Sequence, residues 1–115
     1  MKKLGIGLAA LLSVPAGSTL VAADEAILGK GNERYQYWCA GCHGAGPGRP
    51  GTNALAAKYG GDPPALLEER TDLTPEIVEH FVRNGISIMP FFRKTEIGDA
   101  ELAAIGAYLS RNAQR

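Results

Sequence analysis

Apolar residues along this chain recur at helical spacing in short stretches separated by glycine- and proline-rich breaks, and no segment alternates convincingly with a period of two. Tyr35 and Trp38 share a face at i, i+3 and predict a helix over about Gly31–Cys39. Gly31 stands one turn before Tyr35, where another helix can approach closely. Gly44–Gly51 reads as a loop, with four glycines and two prolines. Asn53–Tyr59 has the makings of a helical turn or two before the break at Gly60-Gly61-Asp62-Pro63-Pro64, and Ala65–Arg70 of a short restart. A better signalled helix begins at Thr74. Thr74 suits the N-cap, Pro75 the first helical position, and Glu76 complements the positive helix end. Ile77, Val78, Phe81 and Val82 form its apolar stripe, with Glu76, Glu79, His80 and Arg83 opposite and Asn84-Gly85 as the stop. A last helix runs from Asp99 or Ala100 to about Arg111, with Leu102, Ile105, Tyr108 and Leu109 on one face. The pattern predicts an all-α domain.

The N-terminus changes the picture of where this domain resides. Lys2 and Lys3 precede an apolar run from Leu4 to Val14, Pro15 and Gly17 interrupt it, and Val21-Ala22-Ala23 offers small residues for cleavage. That is the layout of a secretory signal peptide over residues 1–23, too short in its apolar part to span a bilayer of roughly 20 residues. The mature domain would be residues 24–115, exported and periplasmic, with no membrane span. Losing Lys2 and Lys3 leaves ten basic against twelve acidic residues, a net charge of −2, and no basic patch suggests nucleic acid. A domain of this size buries little surface unaided, and a covalently held prosthetic group would supply much of the missing core.

The chemistry concentrates in Cys39-Ala40-Gly41-Cys42-His43, a C-x-x-C-H box. Two thiols at this spacing can each add across a porphyrin vinyl group, and the adjacent imidazole falls beneath the ring as an iron ligand. A structural disulfide between these cysteines would close a tiny loop and constrain little. A thioredoxin-like dithiol expects a βαβ context that the pattern lacks. A structural zinc site wants four ligands, and only His80 is left among the His and Cys residues to join the box.

Met89 lies in the apolar segment Ile86–Phe92 and is the only methionine besides Met1. Pro90 biases it toward extended backbone and projects its thioether from a stiff loop, as a weak axial ligand requires. His80, beside Glu79 and Arg83, reads as a solvated surface histidine. With His43 and Met89 filling both axial positions, no site remains for peroxide or oxygen. The expectation is then an electron carrier rather than an enzyme, working by outer-sphere transfer.

On these residues the chain resembles the class I cytochromes c over nearly all of residues 29–110: the haem box, the Gly31/Tyr35 pairing, the Met89-Pro90 loop and a terminal helix with Tyr108-Leu109. The resemblance implies three to five helices around one covalent haem c. It also implies that Gly31 and Tyr35 meet Ile105 and Tyr108 where the first and last helices cross. A proline carbonyl, that of Pro47 or alternatively Pro50, would accept the His43 Nδ1 proton. A narrower similarity runs through Leu67-Glu68-Glu69-Arg70, Leu73-Thr74-Pro75, Val82-Arg83-Asn84-Gly85 and Met89-Pro90-Phe91. These segments look like the cytochrome subunits of p-cresol methylhydroxylase-type flavocytochromes, in which a flavoprotein oxidises an alkylphenol and passes electrons singly to the cytochrome. That similarity implies a flavoprotein dehydrogenase as donor, another cytochrome, a cupredoxin or a terminal oxidase as acceptor, and Arg70 against a haem propionate; a solvated surface arginine is the alternative for Arg70. Residues 52–66 form a longer stretch than in those subunits. Of Phe91 and Phe92, one belongs in the core and the other is a candidate docking spot. The other readings are a free shuttle to a terminal oxidase or reductase and, from another class, a haem-based sensor or an exported thiol-disulfide oxidoreductase.

Overall fold

In the computed structural model, which describes residues 16–113 together with 1, 10 and 13, the deepest-packed element is the last helix, Asp99–Ser110. It buries Leu102, Ala104, Ile105, Gly106, Tyr108 and Leu109, and Ile105 is wholly enclosed. Five α-helices are present among the described residues: α1 (Ala16–Trp38), α2 (Ala40–His43), α3 (Pro50–Tyr59), α4 (Pro75–Asn84) and this last one, α5. No strand occurs among them, so the expectation of an all-α domain holds.

Helices α1 and α5 cross as the resemblance to the class I cytochromes c implied. A Cβ on Gly31 would lie 2.1 Å from the Ala104 carbonyl oxygen and 2.7 Å from Tyr108 Cβ, so the crossing needs glycine at this point. One turn on, the Tyr35 and Tyr108 rings pack 5.7 Å apart. Helix α4 leans on α5 from another side, where a Cβ on Gly106 would come within 3.2 Å of Pro75 Cα. Thr74 caps α4 as expected, its Oγ1 accepting the Ile77 N–H at 3.3 Å. At α5 the Glu101 carboxylate accepts the Gly98 N–H at 3.3 Å, taking up an otherwise unpaired donor at the helix start.

Several sequence expectations are corrected. α1 begins at Ala16, well before Gly31, because Ala- and Leu-rich sequence without proline carries the helix back through Val21-Ala22-Ala23. Lys2, Lys3 and most of the Leu4–Val14 run lie outside the described residues. The loop after the C-x-x-C-H box ends at Arg49, since Pro50 is preorganised for the first position of α3. The restart at Ala65–Arg70 is a single 3-10 turn, Leu67–Glu69. On α4 only Val78 and Val82 face the core; Ile77 and Phe81 are exposed. Among the described residues no helix is long and apolar enough to cross a membrane.

A polar cluster around Glu68 fastens the 3-10 turn to both crossing helices. Its carboxylate accepts from the Tyr108 hydroxyl and, at 3.4 Å, from Gln36 Nε2 on α1. Its backbone carbonyl accepts from Arg111 Nη2 at 3.2 Å and Asn112 Nδ2 at 2.8 Å.

Candidate haem site

The C-x-x-C-H box is one tight helical turn hung from the end of α1. The Cys39 N–H donates to the Tyr35 carbonyl at 2.8 Å, and the Cys39 carbonyl accepts from Cys42 N at 3.0 Å and His43 N at 2.8 Å. Both cysteines are free thiols, Cys39 half-buried against the core and Cys42 exposed. Burial, with Cys42 beside it, pushes the Cys39 thiol up to about 11, so the thiol keeps its proton.

His43 is held from two sides that the sequence did not reveal. Tyr35, completely buried, donates its hydroxyl to the His43 carbonyl at 3.0 Å. On the other side α3 folds back over α2: Thr52 Oγ1 donates to the Gly44 carbonyl at 2.9 Å, and Arg49 reaches the Ala45 and Gly41 carbonyls, each at 3.3 Å. This sets Gly51 directly on the imidazole, where a Cβ would come within 2.7 Å of Cε1 and 2.8 Å of Nδ1. The long 52–66 stretch thus has a structural part to play, because it completes the helix whose first turn covers His43. A glycine one residue after Pro50 was the available signal, and it read as loop composition.

His43 Nδ1 is buried, and among the described residues it has no hydrogen-bond partner. Neither the Pro47 nor the Pro50 carbonyl receives its proton: Pro47 stands exposed in the loop, and Pro50 opens α3 beside Gly51. Burial lowers the His43 pKa, which keeps the imidazole neutral at neutral pH, the state an iron ligand requires. With Nδ1 turned into protein, Nε2 is the nitrogen left for coordination.

Met89 sits at the end of a tight turn. Ile86 N donates to the Met89 carbonyl at 3.1 Å and Met89 N to the Ile86 carbonyl at 2.9 Å. Gly85, with φ +68°, starts this turn, and a Cβ there would fall 2.6 Å from the Met89 carbonyl oxygen. Within the turn, Ser87 takes a φ of +54°. Met89 and Cys39 pack, half-buried, on the same core cluster, which also receives Trp38 and Phe92. Phe92 meets Trp38 edge-on at 5.8 Å, whereas Phe91 is 59% exposed, the division expected of the pair.

Two arginines differ from the pattern. Arg70 is buried, not a solvated surface residue; its guanidinium grips Asp72 with both arms and lies 5.2 Å above the Tyr59 ring. Arg83, expected on the solvated face of α4, turns inward and is largely covered, donating to the Phe92 and Ile97 carbonyls and to Asp99. His80 is exposed and rests edge-on against Phe81.

The residues present fit a covalently attached haem. Two thiols stand on one turn, a neutral imidazole is oriented with Nδ1 inward, and a thioether comes to the same core as Cys39. A family model described as cytochrome C oxidase, cbb3-type, subunit III, matches residues 26–109, which include the whole box, Met89 and nearly all of α5. No curated protein and no solved structure matches the chain. The chain belongs to the cytochrome C oxidase, cbb3-type, subunit III family, and as a cytochrome c domain its role is electron transfer with haem c.

Proposed function

We propose that the chain is a periplasmic electron carrier with a single haem c, attached through Cys39 and Cys42 and ligated by His43 and Met89. When bound, haem c supplies a one-electron ferric/ferrous couple. The observation that carries the reading is the convergence of Cys39 and Met89 on one core cluster, with His43 held between Tyr35 and Gly51. Tyr35 and Gly51 orient the imidazole so that Nε2 is its free donor. Met89 offers a soft neutral sulfur, which favours the ferrous state and raises the potential. Arg70, held in place by Asp72, is the residue for a propionate carboxylate. Residues 1–23 act as the signal that exports the chain. A thiol-disulfide enzyme is disfavoured because the described residues are helical and offer no βαβ context for the dithiol.

The electron donor in this reading is a flavin-dependent dehydrogenase of the p-cresol methylhydroxylase type, supported by the motif similarities between Leu67 and Phe91 and by exposed Phe91 beside the methionine turn. A second reading, delivery of electrons to an oxidase, is favoured by the family description itself. A pyridine haemochrome spectrum should give one covalent haem per chain. Met89→Ala should abolish the ferric thioether-to-iron charge-transfer band and lower the midpoint potential; an unchanged band and potential would remove Met89 as ligand. Purification from the native periplasm separates the partners: a stoichiometric flavoprotein supports the subunit, and no stable partner supports a shuttle.

A further inference from the structure

The segment from Met89 to α5 is tied to α4 by a side chain that reaches several acceptors at once. Arg83 Nη1 donates to the Phe92 carbonyl at 3.1 Å and to the Ile97 carbonyl at 2.8 Å, while Nη2 meets Asp99 Oδ1 at 2.9 Å. Beside it, the Phe92 N–H donates to the Val82 carbonyl at 2.7 Å. Asp99 opens α5 and also takes Lys94 Nζ at 2.9 Å. All three Arg83 acceptors therefore lie within residues 92–99, the chain that follows Met89. The side of Met89 nearer the N-terminus is secured separately, by the Ile86–Met89 turn.

We propose that Arg83 is a positioning residue for the Met89 thioether, its guanidinium clamping the chain after Met89 against α4 and α5. The inference rests on the reading of Met89 as sixth ligand. A planar fork suits the task because it reaches several acceptors at once in fixed geometry. The iron–thioether bond is weak, so the firmness of the loop decides how often the sulfur leaves the iron. The α1–α5 crossing that builds the core involves none of these bonds, and loss of the clamp should fall on Met89 before it falls on the fold.

The experiment uses the full-length haem-loaded protein and cyanide as the probe that displaces the thioether from ferric iron. Arg83→Gln should take up cyanide roughly tenfold faster or more, the scale of losing charge-assisted hydrogen bonds, and weaken the ferric charge-transfer band. Arg83→Lys, which keeps the charge but cannot span the three acceptors, should fall between it and the parent, and it decides the matter where Arg83→Gln does not accumulate. A purely structural role predicts a lower thermal midpoint with the parent's cyanide rate and a full band; that result in the Arg83 variants overturns the proposal. Met89→Ala run alongside separates the two failures. If it keeps the band, the ligand reading falls; if it loses the band while both Arg83 variants keep theirs, only the clamp falls.

Discussion

Gly51 lies against the imidazole of His43 so closely that a Cβ in its place would stand 2.7 Å from Cε1 and 2.8 Å from Nδ1. The contact brings the first turn of α3 onto Nδ1, the ring nitrogen opposite the candidate ligand atom Nε2. It orients the ring by contact, where among the described residues Nδ1 has no hydrogen-bond acceptor. Shape takes over the orienting part that a hydrogen bond performs elsewhere.

Gly51→Ala is therefore expected to push the ring, at a cost of about 1–3 kcal/mol for an overpacked site. Ferric EPR reads the change as altered g-anisotropy, and haem content per chain reads impaired ligation. Gly41, where a Cβ meets nothing within 4 Å, supplies the control. If Gly51→Ala and Gly41→Ala gave the same spectrum and stability, the contact would have no part in holding His43.

The α1–α5 crossing makes a sharper demand. Gly31→Ala places a Cβ inside the Ala104 carbonyl, a backbone atom that cannot swing aside. The expected destabilisation is at least about 1–3 kcal/mol, or some 4–8 °C of thermal midpoint per kcal/mol in a domain of this size. Gly29→Ala, on the same helix with open space around it, should be neutral or stabilising by up to ~1 kcal/mol. Equal midpoints for the two variants would contradict the packing described.

Alkaline pH tests the Glu68 cluster. Burial first, then the hydrogen bond to Glu68, pushes the Tyr108 phenol up to about 12, against about 10 for an unfolded tyrosine. Because the folded value is the higher, the stability it contributes is complete below about pH 10 and is lost as pH rises toward about 12, where the unfolded chain releases its proton first. Tyr35 is shifted the same way, by burial and then by the Glu68 charge. Denaturant unfolding between about pH 9 and about pH 11 should show a shallower alkaline fall for Tyr108→Phe than for the parent. Parallel curves would mean that Tyr108 ionises in the folded state as it does in the unfolded one.

Much of the fold was legible because it rests on local rules. Thr74-Pro75 starts α4 and Asn84-Gly85 ends it; the Leu102–Leu109 face buries itself; the one-turn spacing of Gly31 and Tyr35 marks the crossing. Arg83 and Gly51 depart from the local rules for a common reason. Helical periodicity assigns a charged residue to water and a glycine among prolines to a loop, and neither rule knows what the returning chain will bring alongside. Ile77 and Phe81 follow the same logic in reverse, apolar by pattern yet exposed because α5 meets α4 along Val78 and Val82.

By itself the sequence determined the candidate attachment site, since thiol spacing and an adjacent imidazole are properties of five consecutive residues on one turn. It also determined the helical class, through spacing along the chain. Tertiary structure alone decided what holds the two candidate iron ligands: Tyr35 and Gly51 at His43, Arg83 and its carbonyl acceptors beyond Met89. Those contacts join residues 8 to 14 positions apart in the chain, and the hydrogen bonds among them end on backbone carbonyls, which every residue possesses and no sequence pattern distinguishes.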